Sequence, residues 1–327
     1  MTAAAVTVCT WGVGRDGGLP SGADETLTLG RKVAGQLNAD LNWLLLGPMP
    51  ADAVAVAGQY GVTAVHRIVD EKLESFRPDL YVEALAQYWT ACSPRLLLVS
   101  QTYDARLVAP RLAGRSGAGV VMNGVDVAAD ETGRLRVTAS AYGGDTRVAY
   151  ELEGSSAYIV AVTANAIAPT PADGASAPAV RDIPVDLSRV EERIRVVGRA
   201  ETEGPRIEDA EIIVAGGRGL GSVENYRLVE ELAQALGGMS AASRPIVDDG
   251  WADPSRQVGL TGKITRPVLY IAAGISGASQ HMVGCTAAKT IVAINRDPDA
   301  AIFRYARYGI VGDCLEILPA LVRAVKG

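Results

Sequence analysis

The sequence predicts an α/β protein of two domains, each built around a mainly parallel sheet. Its 327 residues are about twice the roughly 150 residues of a typical domain. Apolar residues make up 48% and charged residues 21% of the chain, as in globular proteins with a full core. Short apolar runs alternate with helix-like segments, and 36 glycines against two phenylalanines favour strand-to-helix turns over an aromatic-rich β-sandwich.

Bulk composition excludes several classes of function. A net charge of −6 without a basic stripe argues against a nucleic-acid partner. No apolar run reaches the roughly 18 residues that a membrane helix needs, and the N-terminal MTAAAVTVCTWG predicts a strand rather than a signal peptide. Two histidines and no cysteine cluster argue against a metal site. Widely spaced cysteines predict reduced thiols in a cytoplasmic protein: Cys9, Cys92, Cys285 and Cys314.

The first half of the chain alternates between strand and helix patterns. Strands are predicted at 6–10, 42–46, 65–69 and 95–100, and helices at 25–37, 51–60, 80–90 and 107–113. This rhythm indicates a parallel sheet with helices on both faces. After residue 119 the pattern changes to strands separated by glycine-containing turns, which indicates an antiparallel extension of the sheet; these strands are predicted at 120–127, 135–142, 147–151 and 158–162.

A GxGxxG pattern follows the first strand, at Gly12, Gly14 and Gly17. In a dinucleotide site such a pattern opens a helix directly, and an acidic residue ends the next strand. Here Pro20 follows the glycines, and the next strand ends in Gly47 and a proline. The alternative, a glycine-rich surface loop, is therefore favoured.

A Pro-, Ala- and Gly-rich stretch at 168–178 predicts a linker, and 186–200 predicts a strand that closes the first domain. A second hinge is predicted at 201–206, so we expect the domains to be 1–203 and 204–327. In the second domain strands are predicted at 210–215, 242–247, 268–273, 290–295 and 309–312, and helices at 224–236, from Asp297-Pro298, and at 315–325.

The second domain contains the stretch around which the chain is organised, LYIAAGISGASQHMVGC at 269–285. It predicts a strand, a glycine turn and the start of a helix. Free backbone N–H groups at such a turn suit a phosphate or pyrophosphate, and glycines let the backbone approach the ligand. Ligands of parallel sheets bind beyond the carboxyl ends of the strands, where the candidate site residues lie: Arg218, Ser243, Arg244, Ser276, Gln280, His281, Asn295 and Asp313.

These residues belong to blocks that resemble one family. GISGASQH is similar to the FAD-binding signature of electron transfer flavoprotein alpha subunits. Further blocks agree with that family in order and spacing, densely from about residue 207 and more thinly before it: GGRGLGSVENYRLVEELAQALGG, ASRPIVDDGW, QVGLTGK, TIVAINRDPDA and YGIVGD. The resemblance implies an N-terminal parallel α/β domain with an antiparallel extension, followed by a C-terminal Rossmann-like, deoxyhypusine-synthase-like (DHS-like) FAD-binding domain.

The resemblance also implies which residues bind FAD. Arg244 would lie beside the isoalloxazine, Thr261 near its N5, and His281 would donate toward O2, with a weaker effect on the flavin than Arg244. Leu260 stands where the family often has glutamine, so a polar contact at the ring edge is not expected. The full implied set is Arg218, Ser243, Arg244, Gln257, Val258, Gly259, Thr261, Gly274, Ser276, Gly277, Ser279, Gln280, His281, Asn295 and Asp313, the last two toward the adenosine half.

As a member of this family, the chain would be an electron carrier rather than a substrate-converting enzyme. It would form a heterodimer with a beta subunit that holds AMP, with the first domain as the interface. FAD would take electrons from a flavin dehydrogenase and pass them to a quinone reductase or similar acceptor. Alternatives remain open: a stand-alone flavoenzyme, a nucleotide-binding module without redox function, and a bifurcating complex with a second FAD in place of AMP.

Overall fold

The computed structural model describes residues 5–14, 17–141, 146–151, 157–174, 177–198 and 206–327. Backbone contacts divide these residues into two units, of which the first ends before residue 199 and the second contains all residues from 206 onward. The hinge predicted at 201–206 and the boundary near 204 lie, except for residue 206, outside the described residues. No helix in the described ranges is long and apolar enough to cross a membrane.

The first unit is a nine-stranded sheet covered by helices on both faces. The elements are β1 Val6–Trp11, α1 Ala23–Leu37, β2 Leu41–Leu46, α2 Ala53–Gln59, β3 Ala64–Ile68, α3 Pro78–Cys92, β4 Leu96–Ser100, α4 Tyr103–Ser116, β5 Gly119–Ala129, β6 Leu135–Ala141, β7 Thr146–Glu151, β8 Tyr158–Val162 and β9 Ala179–Asp182. Strands β1 to β4 and β8 form the parallel centre of the sheet, while β5 pairs antiparallel with β6 and parallel with β8. The order across the sheet is β7-β6-β5-β8-β4-β1-β2-β3-β9.

The core of the first unit has two halves, one on each face of the sheet. Successive side chains of a strand point to opposite faces. On β2, Trp43 and Leu45 therefore join the half that contains α1, whereas Leu44 and Leu46 join the half that contains α3 and α4. This two-sided burial explains why the central strands are mainly apolar rather than alternating between apolar and polar residues, and the predicted fold class of this unit is confirmed.

The strand predicted at 186–200 is wrong for its described part, which has no strand. Instead β9 takes the sheet edge beside β3. Residues 183–198, here named the strap, are irregular and are fixed to the unit by side chains of α3 and of the turn before it. Asp79 accepts hydrogen bonds from the backbone N–H groups of Arg193 and Ile194. The alternating apolar residues of the strap imitate a strand pattern because several of them pack on the unit's core.

The second unit is a five-stranded parallel sheet, as expected for a Rossmann-like domain. Its elements are β10 Ile212–Gly216, α5 Arg227–Ala235, β11 Met239–Ala242, α6 Arg244–Asp248, β12 Leu269–Ala273, α7 Ser279–Met282, β13 Thr290–Asn295, β14 Tyr308–Val311 and α8 Cys314–Lys326. The strand order is β11-β10-β12-β13-β14, and apolar clusters lie on both faces of the sheet.

Two predictions for this unit are wrong in detail. The strand expected at 242–247 ends at Ala242, and α6 begins at Arg244. Pro245 lies in the first turn of α6, where its fixed φ suits a helix and its missing N–H costs nothing. No helix begins at Asp297-Pro298, because these residues form a turn before a short 3₁₀ segment at Ala301–Arg304.

Candidate functional site

A cavity of about 940 Å³ lies at the carboxyl ends of the strands of the second unit. Its walls come from the segments that follow β10, β11, β12 and β13. Small-molecule sites range from about 300 to 1,000 Å³, so this cavity has room for a ligand as large as a dinucleotide.

Most of the site residues expected from the sequence line this one cavity. Gly277, Ser279 and Asp313 are the exceptions, and they do not line it. The expected residues that do are Arg218, Ser243, Arg244, Gln257, Val258, Gly259, Thr261, Gly274, Ser276, Gln280, His281 and Asn295. Leu260 lines it too, together with residues that the sequence did not suggest: Gly219, Pro245, Ile275, Ala278, Asp297, Asp299, Ala300 and Ala301. Their one sequence signal was that each adjoins a suggested residue or follows a predicted strand.

Two glycine loops meet at the floor of the site. Gly219, after β10, donates a backbone hydrogen bond of 3.0 Å to the carbonyl of Gly274, after β12. A Cβ atom added to Gly219 would lie 2.6 Å from the Cα of Gly274, and Gly274 itself has a φ of +65°. Only glycines allow this backbone-to-backbone approach, which brings the ends of neighbouring strands together.

The turn after β12 presents backbone donors, as the sequence predicted. Within the described residues, the N–H groups of 275–280 donate to no protein acceptor. The helix that follows is a single turn, Ser279–Met282. A cluster of backbone N–H groups, more than a helix dipole, therefore makes this turn suitable for a phosphate.

Gly277 shapes this turn without lining the cavity. Its φ is +85°, and a Cβ atom there would lie 2.2 Å from the backbone nitrogen of Ile302. The N–H of Ile302 donates to the carbonyl of Ser276 at 3.0 Å. Gly277 thus lets the turn pack against the 3₁₀ segment Ala301–Arg304.

The loop 257–261 forms another wall. The side chain of Gln257 donates to the hydroxyl of Thr261 at 2.9 Å, and the N–H of Leu260 donates to the carbonyl of Gln280 at 2.8 Å. Gly259 has a φ of +138°, which allows the loop to turn back on itself. Leu260 is 39% exposed, so an apolar side chain stands at this part of the cavity.

His281 is buried in the cavity wall. Its Nε2 lies 3.0 Å from the hydroxyl of Tyr270, and its Nδ1 is buried with no hydrogen-bond partner. Burial lowers the pKa of His281 to about 4, and the backbone of Val258 opposes this change only in part. The imidazole is therefore neutral at pH 7.

Two arginines stand at the mouth of the cavity, each with an acidic partner on α6 or just after it. Arg218 lies 3.4 Å from Asp249, and Arg244 lies 3.1 Å from Asp248. The arginine side chains are 68% and 63% exposed. Their positive charge at the mouth is thus partly balanced and screened by solvent.

Asn295 and Asp313 have internal partners. The Asn295 amide donates to the carbonyl of Ile275 at 2.9 Å and accepts from the N–H of Asp297 at 3.0 Å, so it ties two loops of the site together. Asp313 caps α8 by accepting from Leu315. The Leu315 N–H and then the Arg296 guanidinium hold the pKa of Asp313 below its usual value. The carboxylates that do line the cavity are Asp297 and Asp299.

The glycine pattern after β1 does not form a dinucleotide fingerprint. Helix α1 begins only at Ala23, after Pro20, and Gly12 and Gly17 have positive φ values typical of turns. No group of His, Cys, Asp and Glu suited to a metal ion occurs in the described ranges.

Comparison with known proteins identifies the family. The family described as "Electron transfer flavoprotein FAD-binding domain" matches residues 206–286, and "Electron transfer flavoprotein domain" matches residues 13–188. The electron transfer flavoprotein subunit alpha of Thermoanaerobacterium thermosaccharolyticum is 33% identical, with 95% of each chain covered. The same subunit of Bacillus subtilis is also 33% identical, with 95% of each chain covered. Protein FixB of Clostridium saccharobutylicum is 35% identical over 95% of this chain and 94% of its own. The chain belongs to the electron transfer flavoprotein alpha-subunit family.

The predictions of this family and of FAD as the cofactor are confirmed: the chain is an electron-transfer flavoprotein subunit that binds FAD. The second unit fits the cofactor on three independent features. Its cavity has dinucleotide dimensions, its glycine turn presents unused N–H groups for phosphate, and its wall carries a buried imidazole with an unsatisfied nitrogen.

Proposed function

We propose that FAD occupies the cavity of the second unit and that electrons pass through it between partner proteins. One observation carries this proposal: residues from separate sequence blocks line a single cavity inside the unit that matches the family's FAD-binding domain. When bound, FAD supplies the redox chemistry, because it can take up and release electrons.

The protein's own groups bind and orient. The N–H groups of residues 275–280 would hold the pyrophosphate, and the loop 257–261 would lie along the isoalloxazine. Arg244 and His281 would face its pyrimidine end, and Ser243, buried at 6% exposure, would support them. Because Asn295 and Asp313 already have internal partners, we propose that they shape the adenosine end mainly through the loops they hold.

We also propose the partners that the resemblance suggests. A beta subunit holding AMP would bind the first domain, residues 1–203, with the boundary near residue 204. A flavin dehydrogenase would donate electrons, and a quinone reductase or similar protein would accept them. A cytoplasmic location is supported by four free thiols, none of them in a disulfide: Cys9, Cys92, Cys285 and Cys314.

An obstructing substitution tests the site. Ala278 is exposed and lines the cavity, so Ala278→Trp should fill the space without disturbing the core. The matched control is Ala320→Trp on α8, where the alanine is also exposed but does not line the cavity. We expect normal folding of both variants by circular dichroism and at least a tenfold loss of FAD affinity only in Ala278→Trp. Equal affinity in both variants would place FAD elsewhere.

A reconstitution tests the carrier role and its alternatives. The chain is purified with a co-expressed beta subunit, and flavin and AMP are counted after release. One FAD and one AMP per heterodimer support the proposal, whereas two FAD indicate bifurcation and no flavin indicates a module without redox function. Bleaching of the flavin absorbance by a reduced dehydrogenase, but not by NADH alone, supports a carrier. NADH oxidation without a partner would support a stand-alone enzyme.

A further inference from the structure

A buried tyrosine lies behind the histidine of the site. Tyr270 is on β12 and has no exposed surface. Its hydroxyl oxygen is 3.0 Å from Nε2 of His281, and the two ring centroids are 6.1 Å apart. Because β12 is paired on both sides, with β10 and β13, the hydroxyl is fixed on a rigid element.

The hydroxyl proton of Tyr270 has two neighbouring acceptors, Nε2 of His281 and the sulfur of Cys285. An imidazole nitrogen is a strong acceptor, whereas a thiol sulfur is a weak one. The Cys285 thiol itself donates to the carbonyl of His281 at 3.9 Å. Burial and then the neighbouring Cys285 raise the pKa of Tyr270 well above its usual value, so the hydroxyl keeps its proton and is available as a donor to Nε2.

The surroundings of Nδ1, on the other side of the imidazole, favour a proton on Nδ1, which agrees with Nε2 as the acceptor. Nδ1 is buried without a hydrogen-bond partner, and the backbone of Val258 near it favours the protonated ring. The Val258 N–H is already used, because it donates to Ala242 at 2.9 Å. The backbone group of Val258 that can favour the protonated ring is therefore its carbonyl. A bare Nδ1 lone pair would repel this carbonyl, whereas an N–H is attracted to it.

We infer that Tyr270 is a positioning residue that donates its hydroxyl proton to Nε2 of His281 and so fixes the neutral imidazole as its Nδ1–H tautomer. The N–H at Nδ1 is then the only N–H of the neutral imidazole, and an acceptor at the pyrimidine end of FAD would share it with the Val258 carbonyl; this consequence rests on the proposed function. Without the Tyr270 hydroxyl both tautomers become accessible, and in one of them Nδ1 has no hydrogen to donate.

The tautomer can be read directly by NMR. The chain has only two histidines, so ¹⁵N-histidine labelling of the full chain gives two imidazole spin systems. In the flavin-free wild type at pH 7 we expect His281 to be protonated at Nδ1. In Tyr270→Phe we expect a tautomer mixture at His281 and an unchanged His66. The matched control is Tyr226→Phe, since Tyr226 is buried in the same unit and should leave both histidines unchanged.

The flavin provides a second readout. Loss of the directed donor is equivalent to one neutral hydrogen bond, so Tyr270→Phe should weaken FAD binding by about twofold to tenfold, while Tyr226→Phe should not. Protonation at Nε2 in the wild type, or an unchanged tautomer in Tyr270→Phe, would overturn the inference. The wild-type spectrum decides the tautomer even if Tyr270→Phe does not fold. A different result would refute the proposed FAD site instead of the tautomer. In that case His281 shows the expected tautomer, but neither Tyr270→Phe nor Ala278→Trp changes FAD binding.

Discussion

Substitution of Asp79 should release the strap from the first unit. The Asp79 side chain is 5% exposed, and one carboxylate oxygen accepts from the N–H of Arg193 at 2.6 Å and of Ile194 at 2.9 Å. The other oxygen is paired with Arg111, whose side chain is 38% exposed. Asp79→Ala therefore leaves two backbone donors and one guanidinium without their carboxylate.

The loss can be estimated from these contacts. A hydrogen bond to a charged group contributes about 1.5–3 kcal/mol, and the low end applies because the donors lie on an exposed segment. The pair with Arg111 adds at most about 1 kcal/mol, since the guanidinium is partly solvated. We therefore expect Asp79→Ala to lower the free energy of unfolding of the first unit by about 3–4 kcal/mol.

The pH dependence has a definite sign. Burial alone would raise the pKa of Asp79, but the Ile194 N–H, Arg111 and the Arg193 N–H together lower it. A carboxylate whose pKa is lower in the folded state than in the unfolded state stabilises the protein fully above the unfolded-state pKa of about 4. This contribution is lost as the pH falls below about 4 through the folded-state pKa. The difference between wild type and Asp79→Ala should therefore shrink below about pH 4.

Urea unfolding at pH 7, followed by circular dichroism, measures the effect. The matched control is Asp130→Ala, because Asp130 also accepts from two backbone N–H groups, those of Thr132 and Arg134, but is exposed. We expect a much smaller loss for this control. If Asp79→Ala and Asp130→Ala lowered the free energy of unfolding equally, burial of Asp79 would not be the reason for its contribution to stability.

Two further predictions concern the site. Arg244→Ala should lower the midpoint potential of bound FAD by only about 10–40 mV, the equivalent of an exposed ion pair. The control Arg206→Ala removes an arginine that is paired with Asp209 outside the cavity, and it should leave the potential unchanged. Equal shifts in the two variants would contradict the placement of Arg244. Burial lowers the pKa of His281 to about 4, so flavin-free protein should lose up to about 3 kcal/mol of stability as the pH falls from 6.5 to 4. In urea unfolding, His281→Gln should lack this loss, and an identical pH profile would refute it.

The sequence was sufficient for the fold class because two-sided burial leaves a clear mark. The central strands are mainly apolar, and Tyr158–Val162 is wholly apolar and buried. Glycine follows several of them, such as Gly12 after β1 and Gly47 after β2. The strap was mistaken for a strand because its apolar residues alternate as in a strand while its backbone bonds to side chains of α3. Such long-range side-chain partners leave no periodic pattern in the sequence.

The site could be predicted where its chemistry depends on the backbone. Gly274 was expected at the ligand turn, and its close contact with Gly219 is one that no side chain permits. Gly219 meets the same requirement but was not suggested as a site residue. Gly277 has an equally strict requirement, but it serves packing against Ile302 rather than the cavity. A glycine motif therefore locates a site more reliably than it identifies which of its glycines face the ligand.

The surroundings of Arg244 and His281, which cannot be read from the sequence, change which of the two should affect the flavin more strongly. From the sequence, a guanidinium should act on the flavin more strongly than a neutral imidazole. In the structure Arg244 is 63% exposed and shares its charge with Asp248, whereas His281 is 8% exposed. Electrostatic interactions weaken in proportion to the effective dielectric constant, which is high at the mouth and low in the wall. A buried neutral hydrogen bond of about 0.5–1.5 kcal/mol corresponds to about 20–60 mV. If FAD lies as we propose, His281 therefore affects its midpoint potential at least as strongly as Arg244 does.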